Sequence, residues 1–295
     1  MAAGSNAFYT QQYASAVELL AQQMTPRVAS AFTPMTGEGK AATAVNQIDA
    51  FEADERTGLY DPVTFGAPTH NRPWVYPRHF DKAIPFDSIE QMQMNANPQS
   101  EYVQGVVAAI NRKMDDEAIR AFFAARNMGE SGTSVDNFNT STNQVGVSVG
   151  GTTSGLNVEK LQNAIQIFEE NEIDLDMEQI YCVISPKQKR NLMNEIEVTS
   201  GDFFKGQVMS TRQVNGFLSI NFIVSNRLLT DSSSYRRVPI FTPKGMTFAT
   251  WGGLQTTVSQ RQDLRGHPWQ VYGQGHFGAV RRDAKRVIEI QCSEA

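Results

Sequence analysis

Apolar residues recur at helical spacing in three stretches of the chain and alternate with polar ones over its last third. Between residues 13 and 31, Val17, Leu20, Met24 and Val28 fall every three or four positions, with Pro26 interrupting them. A single stripe of this length cannot bury its own apolar face, so residues 1–40 are expected to form an arm that lies on another part of the structure. Asn97-Pro98 is a helix start, a capping side chain followed by proline at the first helical position. Val103, Val106, Val107, Ile110, Met114 and Ala118 then continue at helical spacing to Phe122. This predicts a long helix over about residues 98–126, which spans ~43 Å at 1.5 Å per residue. Asn157 caps another, with Val158, Leu161, Ile165 and Phe168 on one face.

The order that follows is strand (179–185), helix (186–195), polar loop (197–210) and strand (216–225), an α/β segment. From Arg236 onward the pattern is strand-like over 238–242, 246–251, 255–262, 269–275, 276–281 and 286–292. Residues 41–85 differ from both. They carry Pro62, Pro68, Pro73, Pro77 and Pro85 with Trp74, Tyr76 and Phe80 between them. Strand-like runs cover 47–57, 61–79 and 80–86. So long a stretch without helical period is expected to project as a two-stranded loop and bind something. The fold class expected is α+β.

The 295 residues are 40% apolar and only 19% charged, with long runs of Asn, Gln, Ser and Thr, which favours polar surfaces buried against neighbours. A net charge of −5 argues against a protein that grips nucleic acid through its phosphates. The charge is unevenly placed. Up to Asp176 there are 11 basic against 22 acidic residues, and beyond it 15 against 9, a polarity suited to head-to-tail contacts between copies. Cys182 and Cys292 have no CxxC partner or zinc-ligand spacing and are expected to be buried thiols. Neither a secretory leader nor an apolar run of membrane-spanning length is present, so a cytosol-like compartment and no membrane partner are expected.

Candidate chemistry is sparse. Gly146-Val-Ser148-Val-Gly150 fits the nucleophile-elbow pattern, but that motif needs a helix directly after the serine, and here none starts before about residue 158. A serine hydrolase using Ser148 is the remote enzymatic alternative. His70 and His79, like His267 and His276, stand nine residues apart, which is not the spacing of a helical metal site. Asp115-Asp116-Glu117 occupy consecutive helical positions, point around the helix and are expected to be a solvated face. Arg281-Arg282 with Lys285-Arg286, interrupted by Asp283, reads as a site of ion pairs between subunits rather than a contact to DNA. No catalytic residue, cofactor or metal is expected.

The organisation, and the local strings in their order, resemble the major capsid proteins of tailed bacteriophages, a fold shared with herpesvirus capsid floors. Arg78-His-Phe-Asp-Lys-Ala-Ile-Pro-Phe-Asp87 leading to Asn97-Pro-Gln-Ser-Glu-Tyr102 looks like the passage from extended loop to spine helix. Tyr181-Cys-Val-Ile-Ser-Pro186, then Gly216-Phe and Val224-Ser-Asn226, look like an axial-domain core. Gly278-Ala-Val-Arg281 before Val287-Ile-Glu-Ile290 looks like the closing strands.

The resemblance implies an N-terminal arm (1–40), an extended loop (41–85), a peripheral domain (86–157 with 266–295) and an axial domain (158–265). It implies self-assembly through pentamers and hexamers into an icosahedral shell around packaged double-stranded DNA, made in the host cytoplasm and lodged in the virion capsid. The alternative structural role is a tail tube or decoration protein. The chain reaches its arm at once, leaving no room for a scaffolding prodomain, so a separate scaffolding protein and a portal are implied partners, and a decoration protein is allowed. DNA would lie nearby without sequence-specific binding. Candidate contacts between subunits are Glu52, Asp54, Glu55 and Arg56 on one side of the loop and Arg72, Trp74, Arg78 and Phe80 on the other, with Trp74 the anchor. The competing role for these residues is to hold the loop together within one subunit.

Overall fold

The computed structural model describes residue 20, residues 22–48, 70–86, 99–149, 152–195 and 215–294, and single positions between 53 and 67. Among these are three α-helices, α1 (Gln99–Phe123), α2 (Val158–Glu170) and α3 (Pro186–Asn194), with several sheets. The expected helix start at Asn97-Pro98, the first part of the N-terminal stripe (residues 13–19) and the polar loop at 197–210 lie outside the described residues. By contacts the chain divides into two units, one of residues 26–78, 114–252 and 277–295, the other of residues 1–25, 79–113 and 253–276. The division falls inside α1 and inside the strands Met246–Gln260 and Trp269–Arg281.

The larger unit is organised on a mixed sheet in the order Asn215–Phe217, Ile220–Val224, Ile180–Ile184, Arg236–Phe241, Val287–Cys292, Gln144–Val145. Ile180–Ile184 runs parallel to Ile220–Val224, a pairing that needs a crossover, and α3 lies in the connection. Its start is fixed by local chemistry. Ser185 accepts from the Gln188 N–H, Gln188 returns a bond to the Ser185 backbone, and Pro186 fills the first turn. In α2, Asn157 caps the Lys160 N–H, as its position in the sequence predicts. The buried row Ile180, Cys182, Val238, Ile240, Ile288 and Ile290 forms the core. Burial pushes the Cys182 thiol well above its ordinary range and the Cys292 thiol up to about 12, so both stay protonated and inert.

A second sheet of this unit joins Ala42–Thr43, Trp74–Val75, Arg126–Met128 and Ser134–Asp136, and a two-stranded ladder pairs Gln47–Ile48 with His70–Asn71. The segment 41–85 therefore leaves and returns as antiparallel chains, with residues 49–52 among those not described. At its return the backbone passes close to Gly278, where a Cβ would stand 2.4 Å from the Tyr76 carbonyl oxygen.

In the smaller unit, strand Arg78–Phe86 from His79 onward lies beside Trp269–Arg281, which lies beside Met246–Gln260. The first part of α1 packs on this sheet. Gly273 makes the approach, since a Cβ there would meet Val106 Cγ1 at 2.4 Å and Ile110 Cδ1 at 3.2 Å. Residues 22–24 are tied to the same helix, Arg112 donating to Gln22 Oε1 at 2.6 Å and Asn111 to the Met24 carbonyl at 2.8 Å.

Four expectations need correction. The N-terminal stripe does not continue as a helix, because past Pro26 the chain makes only the 3-10 turn Ala29–Ala31 before the strand Thr33–Thr36. The single strand at 216–225 is a hairpin instead, turning at Leu218 and Ser219 with φ of 52° and 58°, a left-handed pair that no glycine announces. Conversely, 246–251 and 255–262 form one strand, Met246–Gln260, which accommodates Gly252 and Gly253 at φ of 73° and 72° without ending. Residues 269–281 are likewise continuous.

Candidate functional site

The densest polar chemistry in the larger unit surrounds one turn of α1. Asp115, Asp116 and Glu117 are successive residues, about 100° apart around the helix, and each meets a different part of the chain. The Asp115 carboxylate is fully buried and accepts from three consecutive backbone N–H groups, Arg27 at 2.9 Å, Val28 at 3.0 Å and Ala29 at 3.1 Å. Those donors open the 3-10 turn Ala29–Ala31, so the carboxylate caps it and neutralises its free N–H groups. Immediately after, Phe32 enters the core edge-on against Phe122 and Phe241, with ring centres 5.2 and 5.4 Å away.

Asp116 pairs with Arg227, which follows the strand Ile220–Val224. Glu117, only 3% exposed, takes Arg78 at 2.7 Å and Arg120 at 2.5 Å. Its hydrogen bond to Arg120 holds that guanidinium's pKa above the ordinary value. Residues 27–29, Arg78 and Arg227 beyond the end of a core strand are thus bound to one helical turn. The expectation of a solvated face is overturned, because this part of the helix is enclosed and each direction around it offers a donor. Three adjacent acids in an otherwise amphipathic helix were the available signal.

The loop candidates sit as follows. The Trp74 indole is half-buried and donates to the Gly129 carbonyl at 2.7 Å, while its backbone lies opposite Asn127. Arg72 donates to Asn46 at 2.8 Å, and both line an open polar pocket of about 380 Å³ with Gln47, His70, Asn71 and Glu130. Arg78 is held by Glu117, Phe80 is half-buried in its strand, and Glu55 is exposed. Glu52, Asp54 and Arg56 lie outside the described residues.

Two arginines of the basic cluster near the C-terminus turn inward, while Lys285 is exposed. Arg281 is fully buried, donates to the Phe122 and Ala124 carbonyls and lies over the Phe138 ring. Burial, with Arg126 nearby, lowers its pKa to about 10. Arg286 pairs with Glu178 and Asp283. The expectation of ion pairs between subunits at these two arginines is corrected accordingly.

Ser148 stands on a two-residue strand paired with Thr152–Thr153, its hydroxyl 3.5 Å from that of Thr153, in a hairpin and not on a strand-to-helix elbow. No group of three or more His, Cys, Asp and Glu that could hold a metal occurs among the described residues, and no helix there is long and apolar enough to cross a membrane.

A family model described as phage capsid protein matches residues 5–294. A search of curated protein sequences returned no match. Among solved structures, the chain is similar to the capsid asymmetric unit of cyanophage Pam1, with a TM-score of 0.77 and 10% identity over 99% of this chain and 98% of that one. It is similar to the capsid of cyanophage P-SCSP1u at a TM-score of 0.73 and 13% identity, covering 98% and 94%. For Mycobacterium phage Che8 the values are 0.70 and 11%, covering 97% and 98%. At such identities the likeness is one of fold, and it extends over whole chains.

Proposed function

The chain belongs to the phage capsid protein family and is a structural protein of the capsid, and from that premise we propose that it closes an icosahedral shell of pentamers and hexamers around packaged double-stranded DNA. The observation that carries this reading is the family match over residues 5–294, nearly the whole chain. Each contact between subunits is weak alone, and the closed shell is stable because every subunit is held by several neighbours at once. The acidic first part and basic remainder of the sequence suit head-to-tail packing.

In this proposal residues 1–40 serve as arm, 41–85 as extended loop, 86–157 with 266–295 as peripheral domain and 158–265 as axial domain. Glu52, Asp54, Glu55, Arg56, Arg72, Trp74, Arg78 and Phe80 contribute contacts to neighbouring copies. A separate scaffolding protein directs assembly in the host cytoplasm and a portal occupies one vertex. DNA is enclosed without being gripped, consistent with the net charge of −5.

Electron microscopy of the purified protein, alone and with co-expressed scaffolding candidates, tests the proposal. Closed shells or sheets of five- and six-membered rings are expected. Tubes, or only monomers and dimers under every condition, would refute it.

A further inference from the structure

Away from the acidic turn, two imidazoles meet on the smaller unit's sheet. His79 and His276 lie on neighbouring strands, Arg78–Phe86 and Trp269–Arg281, 197 residues apart in sequence. Their Nδ1 atoms are 2.8 Å apart, their ring centres 4.7 Å, and the ring planes cross at 76°. His79 is exposed and His276 half-exposed, so solvent ions reach both.

Three arrangements can be told apart by these distances. A straight N–H···N bond of the same length puts the ring centres about 5.1 Å apart. Two imidazoles on a tetrahedral ion, with bonds of about 2.05 Å, have nitrogens about 3.3 Å and ring centres about 5.2 Å apart. In adjacent positions of a tetragonal ion, at a right angle, they have nitrogens about 2.9 Å and ring centres about 4.5 Å apart. The observed pair is a hydrogen bond bent away from the straight arrangement, too close for the second and within about 0.2 Å of the third.

We infer that His79 and His276 form a two-imidazole site for a tetragonal divalent transition-metal ion, Cu²⁺ or Ni²⁺, whose remaining positions are filled by water. Binding requires both rings neutral with the proton on Nε2, leaving both Nδ1 lone pairs for the ion; the single Nδ1 proton that bridges the free pair moves to Nε2 through solvent. Asp81, two residues along the same strand and on the same face, adds a negative charge beside the site. A bound ion clips the strand that carries the loop's return to a strand of the C-terminal region. Sequence spacing cannot reveal such a site, because the ligands come from opposite ends of the chain and meet only across the sheet. The inference does not depend on the proposed assembly.

The test uses the untagged full chain titrated with Cu²⁺ by calorimetry, with electron paramagnetic resonance on the bound ion. The expected result is one Cu²⁺ per chain with a nitrogen hyperfine pattern from two imidazoles. His79→Ala and His276→Ala should each weaken binding at least about tenfold while leaving the circular dichroism unchanged, and His70→Ala should bind as the parent does. Affinity should fall from Cu²⁺ to Ni²⁺. Binding by either His79 or His276 variant within twofold of the parent, or a bound ion without nitrogen ligands, would overturn the inference. If a His→Ala variant does not fold, His79→Gln and His276→Gln are read the same way.

Discussion

A buried carboxylate without partners would cost several kcal/mol, and Asp115 avoids that cost by taking three main-chain donors. Asp115→Ala leaves the N–H groups of Arg27, Val28 and Ala29 without their acceptor, the last two in buried residues. The expected loss is about 2–4 kcal/mol by urea denaturation, with Asp115→Asn falling between the two. At Gly278 the constraint is steric. Alanine there would set a methyl group against the Tyr76 carbonyl, so Gly278→Ala should lower stability by about 1–3 kcal/mol in thermal unfolding. Residue roles were the least legible part of the sequence. Asp115 to Glu117 read as solvated because a helical wheel shows direction and not what stands there, and their partners Arg27, Arg78 and Arg227 are 88, 39 and 111 residues away.

Elements were legible where local chemistry decides them. Asn157 and Ser185-Pro186 mark the starts of α2 and α3 because a cap is satisfied within four residues. The hairpin at Leu218–Ser219 was missed because its left-handed turn is imposed by the pairing of Asn215–Phe217 with Ile220–Val224 and not by turn residues. The separate strands expected at 246–251 and 255–262 are one, the strand running on through Gly252 and Gly253. Ion pairs between elements follow the same rule, as at Glu178, which joins the approach to Ile180–Ile184 to Lys244 and Arg286 from the two turns near the last strands. Burial raises the Glu178 carboxyl, but hydrogen bonds from Lys244 and Arg286 outweigh it and hold the pKa below the ordinary 4.5. A carboxyl whose folded-state value is depressed stabilises the fold above its unfolded value and loses that contribution as pH falls through the folded one. Stability should therefore drop below about pH 4.5, and Glu178→Gln should be less stable at neutral pH with a shallower acid limb, as measured by denaturation across pH 3–7.

For the whole molecule, the long helix, the α/β segment and the closing strands were legible, since each has its own hydrophobic period. The way the loop's base is tied to the body was not, because two-residue strands such as Ala42–Thr43 and Trp74–Val75 carry no periodic signal. Trp74 is the residue through which the proposal ties this scale to the assembly. Its indole already bonds Gly129, so Trp74→Phe removes the donor and keeps the ring, while Trp74→Ala removes both. If the ring is the contact to a neighbouring copy, Trp74→Ala should remain a folded monomer that forms no shells under the electron microscope, and Trp74→Phe should still assemble. An unfolded Trp74→Ala monomer would assign the residue to the loop's own stability.

The way residues 27–29 are held bears on inheritance. The donors at residues 27–29 belong to the main chain, which every amino acid except proline supplies, whereas the acceptor is one particular side chain on α1. These three bonds share a single side-chain acceptor, at position 115. Mutations can therefore accumulate at Arg27, whose main chain does the holding, without releasing it. In a saturation library screened for infectious particles, position 27 should admit most residues and reject proline, while position 115 should admit almost nothing but aspartate. Under the proposed arm role, the sequence ahead of residue 27 can change while this point of attachment stays fixed.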